Sequence, residues 1–165
     1  HVSREPVTIT NFRNVQQKVA SADPDQSTKP YGLWYGLGDG WIRFMRENEI
    51  DLDDYNYLYK IELGADVLRL SSEEDVKEFQ KRFEKETTVQ MRGGYSLPMG
   101  ERIDWKDVQE EGYSGIEISP YSKEWHRETF WFSDWDTESG CIWDEKGVKD
   151  IILVAQSMFG QLDLF

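Results

Sequence analysis

The stretch Tyr31-Gly32-Leu33-Trp34-Tyr35-Gly36-Leu37-Gly38-Asp39-Gly40-Trp41 changes its period at the glycines. Tyr31 to Tyr35 read as a buried strand. Beyond Gly40, Trp41, Phe44 and Met45 stand at i, i+3 and i+4, one face of a helix, with Asp39 placed to cap its first turn. N-terminal to this unit, Ser21 to Pro30 is polar and carries two prolines, which makes it a surface loop. Further back, Val7, Ile9 and Asn11 alternate with Thr8, Thr10 and Phe12. That period of two predicts a strand over Pro6–Phe12, followed by a short helix over Phe12–Ala20 that Asn11 could cap.

In the other direction, Tyr55, Tyr57, Tyr59 and Ile61 alternate with polar neighbours, and Val67 to Leu70 follow the Gly64 break. Two successive strands paired in one sheet are expected. Ser72 and Asp75 resemble a capping box with Asp in the usual Glu position, and Val76, Phe79 and Phe83 mark the buried face of the helix they start. Thr87 to Arg102 contains Gly93, Gly94, Pro98 and Gly100 and reads as a long loop, with a short helix beginning at Asp104. Tyr113–Ile118, Thr129–Trp135, Gly140–Trp143 and Asp150–Val154 are further strands. Few crossover helices are available between them, so the fold class is α+β: mostly antiparallel sheets with a few short helices, in a single domain over 1–165.

Composition narrows the functional classes. The 165 residues include 7 Trp, 8 Tyr and 8 Phe, large rings that suit a compact core. Thirty-two acidic residues against nineteen basic ones give a net charge of -13, which opposes strong unspecific nucleic-acid binding and attachment to anionic membranes. No run approaches the roughly 18–20 apolar residues of a membrane-spanning helix. The first residues lack the order of a secretion signal, and the single Cys141 suits a reducing compartment, so a cytoplasmic location is expected. Two histidines and one cysteine are too few for the usual structural zinc site.

Several residues invite chemical readings, each with a plainer one beside it. Gly36 to Gly40 could hold an anion on backbone N–H groups, but the G-x-G-x-x-G spacing is missing and Asp39 stands where phosphate would lie; a capped glycine turn is the better reading. Asp51, Asp53 and Glu62 fall at positions one, three and twelve of a calcium loop, yet Asn56 replaces the turn glycine, which favours an acidic turn entering a strand. His126 lies between Trp125 and Arg127 with no partner visible in sequence, and Cys141 reads as a small buried hydrophobe. The run Phe130-Trp131-Phe132-Ser133-Asp134-Trp135-Asp136 puts aromatics on both faces of a strand. Core packing accounts for that, and stacking of the Trp face on a flat ligand is the alternative. Asp134, Asp136 and Glu138 form an acidic group that could oppose an oxocarbenium-like centre.

Two sets of residues together resemble the ADP-ribosyltransferase fold. Tyr31-Gly32-Leu33-Trp34-Tyr35 and the helix containing Trp41 are similar to that family's "G-[IL]-[YFW]-[FY]" strand and following helix, which wrap the nicotinamide end of NAD. Gly112-Tyr113-Ser114-Gly115-Ile116-Glu117-Ile118 resembles the family's "GYDGI" strand. Ser139-Gly140-Cys141-Ile142-Trp143-Asp144, with Val148 and Ile151, resembles its final strand.

The resemblance implies an NAD-dependent transferase, with NAD as substrate and a macromolecular acceptor of unknown class. It implies Gly32 and Leu33 at the NAD-binding strand, with Gly32 for close backbone approach and Trp34 or Tyr35 for stacking. It also implies a glutamate at the start of the last strand, where Ser139 stands and Glu138 is one residue away, and a His or Arg on the first strand, for which Thr10 or Arg13 are the candidates on Pro6–Phe12. Arg92 and Arg102 are the basic residues that could meet an acceptor. Loss of catalysis within the fold is one alternative. Another is a non-enzymatic acidic binding or inhibitor protein, including a nucleic-acid mimic, whose partner affinity would fall steeply with salt.

Overall fold

The computed structural model describes residues 1–8, 29–50, 55–90, 94–127, 131–132 and 135–157. In chain order these form β1 (Val2–Ser3), β2 (Leu33–Gly36), α1 (Gly40–Glu47), β3 (Tyr57–Leu63), β4 (Val67–Leu70) and α2 (Glu73–Phe83). There follow β5 (Glu84–Gln90), β6 (Ser96–Ile103), α3 (Trp105–Glu110), β7 (Gly115–Ile118), β8 (Ser139–Ile142) and β9 (Val148–Gln156). The class is α+β with mostly antiparallel sheets and short helices, as the sequence predicts.

One sheet has the order β1-β3-β9 and a second β2-β8-β7-β4, while β5 and β6 form a separate hairpin. Every residue of β7 and β8 is buried, as expected of central strands covered on both faces. On one side, Ile116, Ile118 and Cys141 meet Val76, Phe79 and Phe83 of α2 together with Trp131, Phe132, Trp135 and Trp143. On the other, Leu33, Tyr35 and Ile142 meet Ile61, Leu63, Val148 and Ile151 of the first sheet. The four-stranded sheet is thus the middle layer, and its edge strand β2 borders both cores.

Local sequence accounts for α2 directly. Ser72 Oγ accepts the Asp75 N–H at 3.1 Å, and the Asp75 carboxylate accepts the Ser71 N–H at 2.8 Å, so two N-terminal donors are satisfied by the expected pair. Asp104 likewise caps α3, accepting from the N–H groups of Lys106 and Asp107. Asp39 behaves differently from expectation: its side chain makes no cap bond to α1 and instead faces Arg43 at 3.4 Å.

Four further expectations are corrected. Pro6–Thr8 is not a strand; the strand lies earlier, at Val2–Ser3, where Val2 and Ser3 pair with Leu58 and Tyr57. The remainder of that expected strand and the helix over Phe12–Ala20 lie outside the described residues. Strands β3 and β4 do not share a sheet. Gly64 packs against the Lys146–Gly147 backbone so closely that a Cβ would stand 2.0 Å from the Lys146 carbonyl oxygen, and Asp66 adopts φ of 62°, so the chain steps from one sheet to the other. There β4 pairs parallel with β7, the long excursion through α2, the hairpin and α3 supplying the crossover that parallel pairing needs.

The segment expected to be a loop over Thr87–Arg102 is largely the β5–β6 hairpin. Gly94, with φ of 79°, lies between the two strands, and Pro98 is accommodated where the register shifts between Thr87 and Thr88; Gly93 lies outside the described residues. Finally, Trp131 and Phe132 lie in a single 3-10 turn rather than a strand. Trp131, Phe132 and Trp135 are 1%, 0% and 0% exposed, so aromatics pointing in several directions are all core. Trp131 packs edge-on against Trp105 and Trp135, and the Phe132 ring runs parallel to Trp135 at 6.3 Å. Such pairs each contribute about 0.5–1.5 kcal/mol beyond area burial.

Candidate functional site

A cavity of about 320 Å³ opens where the edge strands of the two sheets meet the start of α1. From the first sheet and the residues leading into its strands come His1, Val2, Tyr55 and Leu58; from β2, Trp34, Tyr35 and Gly36. Gly38, Trp41 and Ile42 close one side, and Lys29, Asp136 and Ser139 complete it. Its size falls at the lower end of small-molecule sites.

The aromatic wall is held in place from several directions. Trp34 donates from Nε1 to the Pro30 carbonyl at 3.2 Å, and its ring lies 5.0 Å from that of Trp135 in the core. Lys29 Nζ stands over the Trp34 ring at 5.4 Å and 3.7 Å from Asp136 Oδ2. This places one cation and one carboxylate together at the rim. Tyr35 donates its hydroxyl to Glu117 Oε2 at 3.0 Å, and burial followed by the neighbouring carboxylate pushes its phenol far above the ordinary value. Tyr35 is therefore a permanent donor, not a proton-transfer group.

His1 extends β1 by one residue, exchanging backbone bonds with Tyr59 at 3.0 and 2.8 Å. Its Nδ1 lies 2.6 Å from the Trp34 carbonyl oxygen. A carbonyl only accepts, so Nδ1 carries the hydrogen, and in the neutral ring Nε2 is left as an acceptor.

Of the residues singled out from sequence, Trp34 and Tyr35 line the cavity. Leu33 instead faces the core between the sheets, and Gly32 does not line the cavity. The close approach that Gly32 permits is to its own fold: a Cβ there would meet the Ile142 carbonyl oxygen at 2.3 Å. Glu138 is half-buried and outside the lining, its carbonyl accepting the Leu37 N–H at 3.1 Å; the acid at the cavity is Asp136, two residues earlier. Thr10 and Arg13 lie outside the described residues, as do Asp51 and Asp53. Cys141 is fully buried with its thiol pushed up by desolvation, which suits packing and not nucleophilic chemistry. No group of three or more metal-ligating side chains occurs among the described residues.

His1 and Lys29 are the cavity residues that sequence reasoning missed. His1 precedes a strand of only two residues, too short for a periodic signal, and Lys29 sits in a polar stretch that reads as loop. The scarcity of histidine was the one available hint.

Compared with protein-family models, with curated proteins and with solved structures, the chain finds no match in any of the three. Among the described residues, no helix is long and apolar enough to cross a membrane.

Proposed function

We propose that this chain is an NAD-dependent ADP-ribosyltransferase that takes the nicotinamide–ribose end of NAD into the cavity between its sheets and transfers ADP-ribose to a macromolecule. The observation that carries the reading is the meeting, in one cavity, of a histidine immediately before the first strand, the aromatics of β2 and the first residue of β8. The resemblance assigns NAD contacts to the β2 segment and to the start of the last strand, as here, and to a first strand that the sequence pattern puts at Pro6–Phe12; the three segments that meet are far apart in sequence. His1 takes the first-strand role for which Thr10 and Arg13 were the candidates.

The chemistry asks for positioning and charge. Trp34 and Tyr35 offer aromatic surface to the nicotinamide, and His1 Nε2 can accept from a ribose hydroxyl. As the bond between ribose C1 and the nicotinamide nitrogen breaks, the electron pair leaves with nicotinamide and positive charge develops on the ribose. A carboxylate on the segment leading into β8 opposes that charge, Asp136 at the cavity and Glu138 beside it in sequence. The acceptor nucleophile then bonds to C1 and gives up its proton. Lys29, the lysine at the rim, meets the diphosphate.

The test is NAD consumption by the full chain, alone and with protein extract, DNA or RNA, following nicotinamide release and labelled ADP-ribose. Turnover lost in His1→Ala, and reduced in Asp136→Asn or Glu138→Gln, is expected. Absence of both turnover and NAD-induced quenching of tryptophan fluorescence overturns the reading in favour of an acidic binding protein.

A further inference from the structure

Glu117 is a buried carboxylate in the interior of the four-stranded sheet, and the chemistry above leaves it without a part. Its two oxygens have distinct partners. Oε2 accepts from the Tyr35 hydroxyl at 3.0 Å, and Oε1 faces Arg69 Nε at 3.3 Å. Tyr35, Gly140, Glu117 and Arg69 are successive register partners on β2, β8, β7 and β4, so a single polar file crosses the whole sheet. The file exists because position 140 is glycine: a Cβ there would stand 2.3 Å from the Tyr35 hydroxyl oxygen and 2.4 Å from Cζ. One end of the file is the cavity wall; the other is Arg69, whose side chain is 67% exposed.

Burying a carboxylate is costly, and an apolar side chain would fill this space without that cost. What an apolar residue cannot do is accept a hydrogen bond from a phenol arriving from two strands away. Arg69 supplies a positive partner on the far oxygen, 3.3 Å away, that aims the carboxylate. We propose that Glu117 is a positioning residue for the cavity: clamped by Arg69, it holds the Tyr35 hydroxyl and so fixes the ring against which a bound ligand packs. The identity of that ligand as NAD rests on the reading above; the clamp does not.

Two readouts separate the clamp from the ligand. With meta-fluorotyrosine incorporated throughout, the Tyr35 fluorine signal is identified by its loss in Tyr35→Phe. A held ring keeps its two edges inequivalent, so the signal stays unaveraged in the native chain and in Glu117→Gln, whose amide oxygen still accepts. In Glu117→Leu it collapses to an averaged line. An unchanged Tyr35 signal in Glu117→Leu overturns the proposal. Should Glu117→Leu fail to fold, Arg69→Met, altered at an exposed side chain, decides alone, and an unchanged signal there overturns the clamp.

The second readout is NAD titration by tryptophan fluorescence. Tyr35→Phe and Glu117→Leu each weaken NAD by roughly tenfold, as expected of a displaced ligand-contacting ring, with Glu117→Gln close to native. A fluorine signal that responds in a chain that never binds NAD removes the NAD reading and leaves the clamp standing. NAD binding that is native in Tyr35→Phe removes the positioning role while leaving the NAD reading intact.

Discussion

Tyr35 crosses Gly140, its register partner on the adjacent strand, so closely that a methyl group at position 140 would overlap the phenol. The same Cβ would lie 2.7 Å from the Ile116 carbonyl oxygen, so the site is confined by backbone as well as by a side chain. Gly140→Ala is therefore an overpacking substitution in a central strand, with an expected cost of about 1–3 kcal/mol. Each kcal/mol lowers the melting temperature of a chain this size by roughly 2–4 °C. Thermal unfolding followed by circular dichroism measures it, and an unchanged melting temperature would show that Tyr35 does not occupy this space.

Asp75 links a helix start to pH. Its carboxylate accepts from the Ser71 N–H and then from the Ser71 and Ser72 groups around it, which holds its pKa below the ordinary aspartate value of 3.8. A carboxyl with a lowered folded pKa stabilises the fold fully above its unfolded pKa, and that contribution disappears as pH falls through the lower folded value. Asp75→Asn should therefore flatten the acid limb of the melting-temperature profile below about pH 4 and leave the shape near neutrality unaltered. Identical acid limbs in the two chains would rule out the linkage.

How far sequence reaches in this fold depends on whether the deciding interaction is local. The start of α2 is legible because Ser72, Asp75 and the Val76, Phe79, Phe83 face lie within one short window. The strands around Tyr59 and Leu70 are legible as strands, but their division between two sheets is fixed by Gly64 packing on Lys146 and Gly147, contacts that no local pattern encodes. Gly93, Gly94, Pro98 and Gly100 dominate the reading of the β5–β6 hairpin because turn residues outweigh the sparse apolar alternation of two strands paired mainly with each other. Trp34 and Tyr35 stand out in the site because bulky aromatics flank a glycine turn. His1, Lys29 and Asp136 become neighbours only through the pairing of β1 with β3 and the entry into β8.

Phe79 is where the helical layer is anchored. Its ring lies 5.0 Å from Phe83, 5.1 Å from Trp131 and 5.8 Å from Trp105, and the residue is 4% exposed. Truncation to alanine removes all three ring contacts and leaves a void that rigid indoles cannot fill, for an expected loss of about 3–5 kcal/mol. Phe79→Leu, which retains much of the volume, should cost clearly less. Urea unfolding monitored by tryptophan fluorescence compares the two, and equal losses would show that volume at this position is not what matters.

The proposed binding of NAD poses a charge problem for this chain that Lys29 would address. A net charge of -13 repels a dinucleotide's phosphates, so binding requires a local cation, and Lys29 stands at the cavity rim between the Trp34 ring and Asp136. Lys29→Met retains the hydrophobic stem against Trp34 while removing the charge. NAD affinity should fall roughly tenfold at low ionic strength, free nicotinamide should bind as before, and the native chain's salt-dependent loss of NAD affinity should largely vanish in the variant. Fluorescence titrations with both ligands at two salt concentrations make the comparison. Equal weakening of NAD and nicotinamide would mean that Lys29 supports the tryptophan and does not read phosphate.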